Sequence, residues 1–102
     1  MKKLNSIQAK YLRGLAHALK PLVLVGQKGL TTEIIRSTNE AFRQHELIKV
    51  KFIEFKDKKQ KKEITAAIEN ETGSRMAGMI GHIAILYRPH TDPEKRKIQL
   101  PD

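Results

Sequence analysis

The chain has 102 residues and carries 20 Lys and Arg against 11 Asp and Glu, a formal net charge of +9 at neutral pH. That length fits one domain burying about two-thirds of its unfolded surface, which excludes a two-domain enzyme built around an interdomain cleft. The absence of Cys excludes a disulfide framework, a thiolate zinc site and a cysteine nucleophile, and the charge points to a polyanionic partner.

Asn5 followed three residues later by Gln8 reads as a capping box, and Leu4, Ile7, Leu12, Leu15 and Leu19 recur at helical spacing up to Pro21. This predicts a helix over residues 6–19 with those apolar side chains inward and Lys10, Arg13 and His17 as a basic stripe on another face. Pro21 cannot continue the helix, and Leu22 to Val25 reads as a short strand buried on both faces. Gly26-Gln27-Lys28-Gly29 breaks that strand. Thr31 is placed to cap a second helix to Gln44, with Ile34, Ile35, Thr38, Ala41 and Phe42 inward and Leu30 and Ile35 spaced as a hydrophobic staple.

From Leu47 to Phe55 the period changes to two: Ile48, Val50 and Phe52 point one way, Lys49 and Lys51 the other. Asp57 is placed to cap a third helix to Thr72, with Gln60 in the box position, Ile64, Ala67 and Ile68 inward and Gly73 as the stop. Arg75 to Ile80 and Ile83 to Tyr87 then read as a hairpin turned at Gly81-His82, with Tyr87 closing an apolar strand as part of the core. Residues 89–102 hold three of the four prolines and mixed charge, and are expected to be a mobile or loosely docked tail. The order is α-β-α-β-α-β-β over residues 1–88, a single α/β layer sandwich in which three helices lie against a mixed four-stranded sheet. No apolar run reaches the ~18 residues of a membrane span, and no apolar signal core follows Met1-Lys2-Lys3. The expectation is therefore a soluble, unprocessed protein with no membrane partner; a cytoplasmic location and a monomeric state are expected besides.

Residues 1–30 contain six basic and no acidic residues, so this third holds six of the nine net charges. Within it, the two glycines of Gly26-Gln27-Lys28-Gly29 allow a tight turn and close approach of a phosphate. The first amides of the following helix point outward as donors, and Lys28 adds a cation. The same loop would serve as an ordinary strand-to-helix turn; the acid-free sequence before it favours a positive surface shared with the first helix, which should flank the same strand. A second basic run, Lys56, Lys58, Lys59, Lys61 and Lys62, opens the third helix against its dipole, and Glu69 and Glu71 stand near the opposite end, also unfavourably. These lysines either contact phosphate or form a solvated face.

A catalytic constellation is not legible. His17, His45, His82 and His90 fall on four different elements without the i, i+4 spacing of a helical metal site, and Ser6, Ser37 and Ser74 sit at a cap, within a helix and after a helix stop, where hydroxyls have structural roles. Neither a P-loop nor a dinucleotide fingerprint is present. The expectation is a protein that is not an enzyme, with no catalytic residues, no metal, no cofactor and no small-molecule substrate.

The run Y-L-R-G-L-A-H-A-L-K-P-L-V-L-V-G-Q-K-G-L, then H-E-L-I-K-V-K, then E-T-G followed by I-G and I-L-Y-R, closely resembles the CRM (chloroplast RNA splicing and ribosome maturation) domain over residues 4–88. It is similar to the stand-alone bacterial YhbY type. The resemblance implies a four-stranded sheet with three helices, similar to the C-terminal domain of translation initiation factor three. It also implies RNA binding, and association with precursors of the large ribosomal subunit and their ribosomal RNA. The family's G-x-x-G loop maps onto Gly26, Gln27, Lys28 and Gly29, with Gln27 where Lys is common, and its basic helix-one surface onto Lys10, Arg13 and Lys20. Arg88 matches the family's ending and, with Lys58, Lys59, Lys61 and Lys62, is a secondary candidate for RNA contact. The loop resembles the KH-domain backbone clamp in chemistry, although there it joins two helices. A permanent structural component of the ribosome, a small RNA-processing enzyme and a DNA-binding protein stay open as alternatives.

Overall fold

Asn5 makes both halves of its capping box: its Oδ1 accepts from Gln8 N at 2.8 Å, and Gln8 Oε1 accepts from Asn5 N at 3.2 Å. The helix so started is α1 (Ser6–Ala16) in the computed structural model of the protein, which describes residues 3–54 and 57–102. It is followed by β1 (Val23–Val25), α2 (Thr32–Gln44), β2 (Leu47–Phe52), α3 (Lys58–Thr72), β3 (Arg75–Ile80) and β4 (Ile83–Tyr87). The second strand, expected to run to Phe55, ends at Phe52, and the chain bends at Ile53 and Glu54; Phe55, and Lys56 of the second basic run, lie outside the described residues.

Local chemistry sets the ends of these elements. Helix α1 stops at Ala16, short of residue 19, because its last turn tightens into i→i+3 bonds, His17 N to Gly14 O at 3.3 Å and Leu19 N to Ala16 O at 2.9 Å. Pro21 also disfavours a helical Lys20. Thr31 Oγ1 accepts from Ile34 N to cap α2, and Asp57 Oδ1 accepts from Lys59 N to cap α3. Gly73 ends α3 at φ 71°, the left-handed conformation that a side chain would oppose.

The sheet order is β1-β2-β4-β3, with β1 parallel to β2 and the other pairs antiparallel. Because strand side chains alternate in direction, the two cores identify two covered faces. Val23, Val25, Ile48, Val50, Phe52, Ala84 and Leu86 bury against α2 and α3, through Phe42 and Ile68. Leu47, Ala77, Ile85 and Tyr87 bury on the opposite face beneath Leu12 and Ala16 of α1. The expected α/β domain of three helices and a mixed four-stranded sheet is thus found, with α1 on one face and α2 and α3 on the other.

Two further expectations change. Of the five leucines and isoleucines assigned to the inner face of the first helix, only Leu12 is buried and Leu4 partly so; Ile7, Leu15 and Leu19 are exposed. The helix carries two apolar stripes, and the one containing Ala9 and Ala16 lets its backbone approach the sheet. Strand β1 is buried on one face only. Leu24 is 54% exposed, because β1 is an edge strand and α1 packs over β3, β4 and β2 instead.

The segment after Arg88 folds back over the α1 side, with a 3-10 turn at Pro93–Lys95. Its anchor is Glu46, whose Oε2 accepts from His90 N at 2.8 Å while Oε1 accepts from Lys97 N at 2.7 Å and Ile98 N at 3.0 Å. Burial pushes this carboxyl up, but the three backbone donors and the charge of Arg96 outweigh it, so Glu46 ionises below the usual carboxylate range. Ile98 and Leu100 pack against the core under α1, and Gln8 Nε2 donates to Pro101 O at 3.0 Å.

Candidate nucleic-acid interface

Gly29 N donates to Gly26 O at 3.0 Å and closes a four-residue turn with Gln27 and Lys28 at its exposed corner. Gly29 is buried at φ 68°, a conformation that favours glycine and lets the chain reverse directly into the Thr31 cap of α2. Lys28 is exposed in this turn three residues before the Thr31 cap, and of the first-turn amides of α2 that of Ile34 is taken by Thr31 Oγ1. Glu33 in that turn is paired with Arg36 at 2.9 Å.

Because β1 and β2 are parallel, the crossovers that follow them start at the same end of the sheet. The Gly26–Gly29 loop and the start of α3 are thereby brought to one end, the end outside the strands' carboxyl termini where open α/β sheets hold ligands. Ile53 N donates to Val25 O at 2.9 Å and ties the two crossovers together. Lys58, Lys59 and Lys62 are exposed there.

Lys61, grouped with these by sequence, has a different place. It is 6% exposed, on the inner stripe of α3 with Thr65, Ile68 and Thr72, and its Nζ donates to Gly81 O at 2.8 Å and to His82 Nδ1 at 3.2 Å. It pins α3 to the β3–β4 turn, so its ammonium is occupied within the fold. Glu69, unfavourable on helix-dipole grounds, likewise has a use: its Oε2 accepts from Met76 N at 2.8 Å and ties the end of α3 to β3.

Arg88 is also absorbed by the fold. Its Nη1 donates to Asn39 Oδ1 and Thr72 O, both at 2.9 Å, and the guanidinium lies 4.8 Å from the Phe42 ring centroid. Burial, then the charge of Arg43, lowers its pKa. It follows β4 at the end of the sheet opposite the loop, as Arg88 N to Glu46 O at 2.9 Å shows.

Among the α1 cations, Lys10 and His17 are exposed, as is Lys20 beyond the helix. Arg13 lies across β3, donating from Nη1 to Ala77 O at 2.8 Å, and fills the space over Gly78 so closely that a Cβ there would fall 2.6 Å from Arg13 Cδ. Between α1 and β1, where the expected surface had the two adjoining, the structure places Lys49 and Lys51 on the face that α1 shares. Lys49 Nζ donates to Leu19 O at 2.9 Å, and Lys51 is exposed. The alternation in β2 marked these lysines as an outward row, but nothing local told that the row bridges the first helix and the glycine loop.

With this geometry the chain is an α/β protein with a basic surface running from a glycine turn across an incompletely covered sheet. Residues 4–88 match the CRS1 / YhbY (CRM) domain, and the chain belongs to that family. It is 44% identical over 101 residues to a Haemophilus influenzae protein named "RNA-binding protein", covering 99% of this chain and 98% of that one. It is 31% identical over 98 residues to the Bacillus subtilis "Probable RNA-binding protein YqeI", covering 96% and 99%. The solution structure of the hypothetical protein SAV1595 from Staphylococcus aureus superimposes with a TM-score of 0.83 at 30% identity, covering 96% of this chain and 99% of that one. No helix among the described residues is long and apolar enough to cross a membrane.

Proposed function

We propose that the protein binds RNA and serves as an assembly factor on precursors of the large ribosomal subunit, acting as a cytoplasmic monomer. The observation that carries the RNA reading is the Gly26–Gly29 turn, which holds Lys28 at an exposed corner just ahead of α2, in an acid-free third of the chain. Such a corner suits an RNA backbone, with Gly26, Gln27 and Gly29 shaping the clamp and Lys28 supplying charge. Lys10 and Lys20 extend the field, Arg13 borders it, and Lys58, Lys59 and Lys62 add cations at the loop's end of the sheet. The names of the relatives support RNA as partner, and the likeness to the stand-alone bacterial members of the family supports the ribosomal role. The role is one of binding, without a catalytic step.

Ultraviolet crosslinking in cells, with sequencing of the attached RNA and mapping of the crosslinked peptides, tests both parts. The expected result is large-subunit precursor RNA attached to peptides spanning Lys10 to Lys28. Crosslinks scattered over all abundant RNAs would remove the ribosomal role, stoichiometric presence in mature subunits would make it a permanent component, and peptides confined to other surfaces would remove the site.

A further inference from the structure

We infer that the half of the sheet face left open by α1 is a seat for unpaired RNA bases, continuous with the Gly26–Gly29 corner. The inference rests on the RNA-binding reading and names the form of RNA that this surface takes. The strand register builds the seat. Leu24 pairs with Lys51, Lys51 with Ile83, and Ile83 with Ile80, so one residue from each of the four strands stands in a single row across the sheet. Alternation puts that row on the α1 face, yet α1 covers only the neighbouring positions Leu47, Ala77, Ile85 and Tyr87. Leu24 and Ile80 are 54% and 61% exposed, and Ile53 at the end of β2 and Leu22 before β1 are each 51% exposed. Large apolar side chains gathered on a sheet face in this way mark an interaction surface, whereas scattered ones would not.

What the seat would hold follows from charge and from continuity. The apolar row is interrupted by the exposed Lys51, Lys49 stands in the row beside it, and Arg13 overlies Gly78, two residues before Ile80 on β3. The named positions of the row and its borders carry cations and no acid. A protein partner that merely buried leucines and isoleucines would have to desolvate Lys51 without a counter-charge, which costs several kcal/mol by rough estimate. A nucleotide satisfies both requirements, since its base presents an apolar face and its phosphate an anion.

The direction is also set. Gly26 directly follows β1, and a Cβ there would lie 4.0 Å from Ile53 Cδ1, so the loop adjoins this floor. A strand of RNA held at Lys28 can therefore lay its next nucleotides over Leu24 and Ile83 with a phosphate at Lys51. A duplex hides the base faces from such a floor and can use only the loop and its cations. The chain is poor in aromatic side chains, and here aliphatic residues provide the platform that aromatic ones usually supply.

The test compares a labelled single strand of roughly 8–12 nucleotides with the duplex of the same sequence, titrated at fixed salt. The double variant Leu24→Ser with Ile80→Ser is set beside Lys28→Glu. Both apolar side chains are more than half exposed, so the double variant should keep its fold, as a thermal melt will check. The double variant is expected to weaken single-strand binding by about ten-fold, the low end of base-platform effects, and to leave duplex binding unchanged. Lys28→Glu is expected to weaken both. Single-strand affinity at the wild-type level in the double variant overturns the inference while leaving the loop reading intact. Should sedimentation then show that the same variant dissolves a dimer, the face belongs to a second copy. Insensitivity of both RNAs to Lys28→Glu overturns the loop reading itself, and this inference with it.

Discussion

Lys28 and Lys61 carry the same charge, and the structure assigns them opposite consequences when that charge is removed. Lys28 is exposed at the corner of the glycine turn, whereas Lys61 is buried with its ammonium on Gly81 O and His82 Nδ1. If Lys10, Lys20, Lys28 and Lys51 each neutralise one phosphate, log affinity should fall against log salt with a slope of about 2.8 to 3.6. Affinity would then drop roughly 50- to 150-fold between about 50 and 200 mM salt. Lys28→Ala should lower that slope by about 0.7 to 0.9 and leave the melting temperature unchanged. Lys61→Ala should leave the slope unchanged but destabilise the fold by about 2 kcal/mol, from the lost charged hydrogen bonds and the buried stem. That loss corresponds to a midpoint drop of roughly 8–15 °C. Fluorescence anisotropy of a ribosomal RNA fragment across the salt series, with a thermal melt of each variant, measures both quantities. A slope that falls equally in the two variants, or in neither, would refute the separation of binding from structural lysines and the phosphate mechanism built on it.

Glu46→Gln keeps an acceptor for Lys97 and Ile98 but meets His90 N with another donor, and should cost about 1–2 kcal/mol at neutral pH. Because the Glu46 carboxyl is held below its ordinary range when folded, its contribution is complete above the unfolded pKa. It is lost as pH falls through the folded pKa. The stability gap between wild type and Glu46→Gln should therefore shrink on acidification, with the protection of the Lys97 and Ile98 amides, relative to their intrinsic exchange rates, falling in parallel; a gap constant with pH would contradict the anchor. Gly78→Ala should expel Arg13 from Ala77 O and cost about 1–2 kcal/mol in a urea melt, and Arg13→Ala in the same background should then add little. Gly29→Ala should lose about 1–2 kcal/mol to its left-handed φ and weaken RNA binding, whereas Gly29→Asn, which tolerates that conformation, should recover part of both.

Where a cap, a glycine stop or a tight turn marks it, an element boundary was legible. The caps at Asn5, Thr31 and Asp57, the Gly73 stop and the Gly81-His82 turn depend on contacts within a few residues, and each lies where its local chemistry predicts. Burial was less legible, because it depends on which neighbour arrives. The inner stripe of α3 is Lys61, Thr65, Ile68 and Thr72, and its polar members are buried at low cost. The two threonine hydroxyls donate to carbonyls four residues back, Thr65 to Lys61 O and Thr72 to Ile68 O, each at 2.7 Å. The i, i+4, i+7, i+11 spacing of that stripe was the available signal, obscured by the hydrophilic character of its residues.

The candidate site divides along the same line. Gly26 to Gly29, the acid-free first third, the Lys49 and Lys51 alternation and the motif series that defines the family are properties of the chain order, and are present in the sequence by itself. Tertiary structure alone decided that α1 crosses to the far face of the sheet and packs over β3, β4 and β2. That crossing leaves Leu24, Lys51, Ile83 and Ile80 in one row beyond its footprint and lays Arg13 across β3, while the packing of α2 and α3 on the other face takes up Arg88 and Lys61. The physical reason is that caps and turns are settled by hydrogen bonds between near neighbours in the chain. The face a strand leaves open is settled by long-range packing, where a helix can cover only as much sheet as its own footprint.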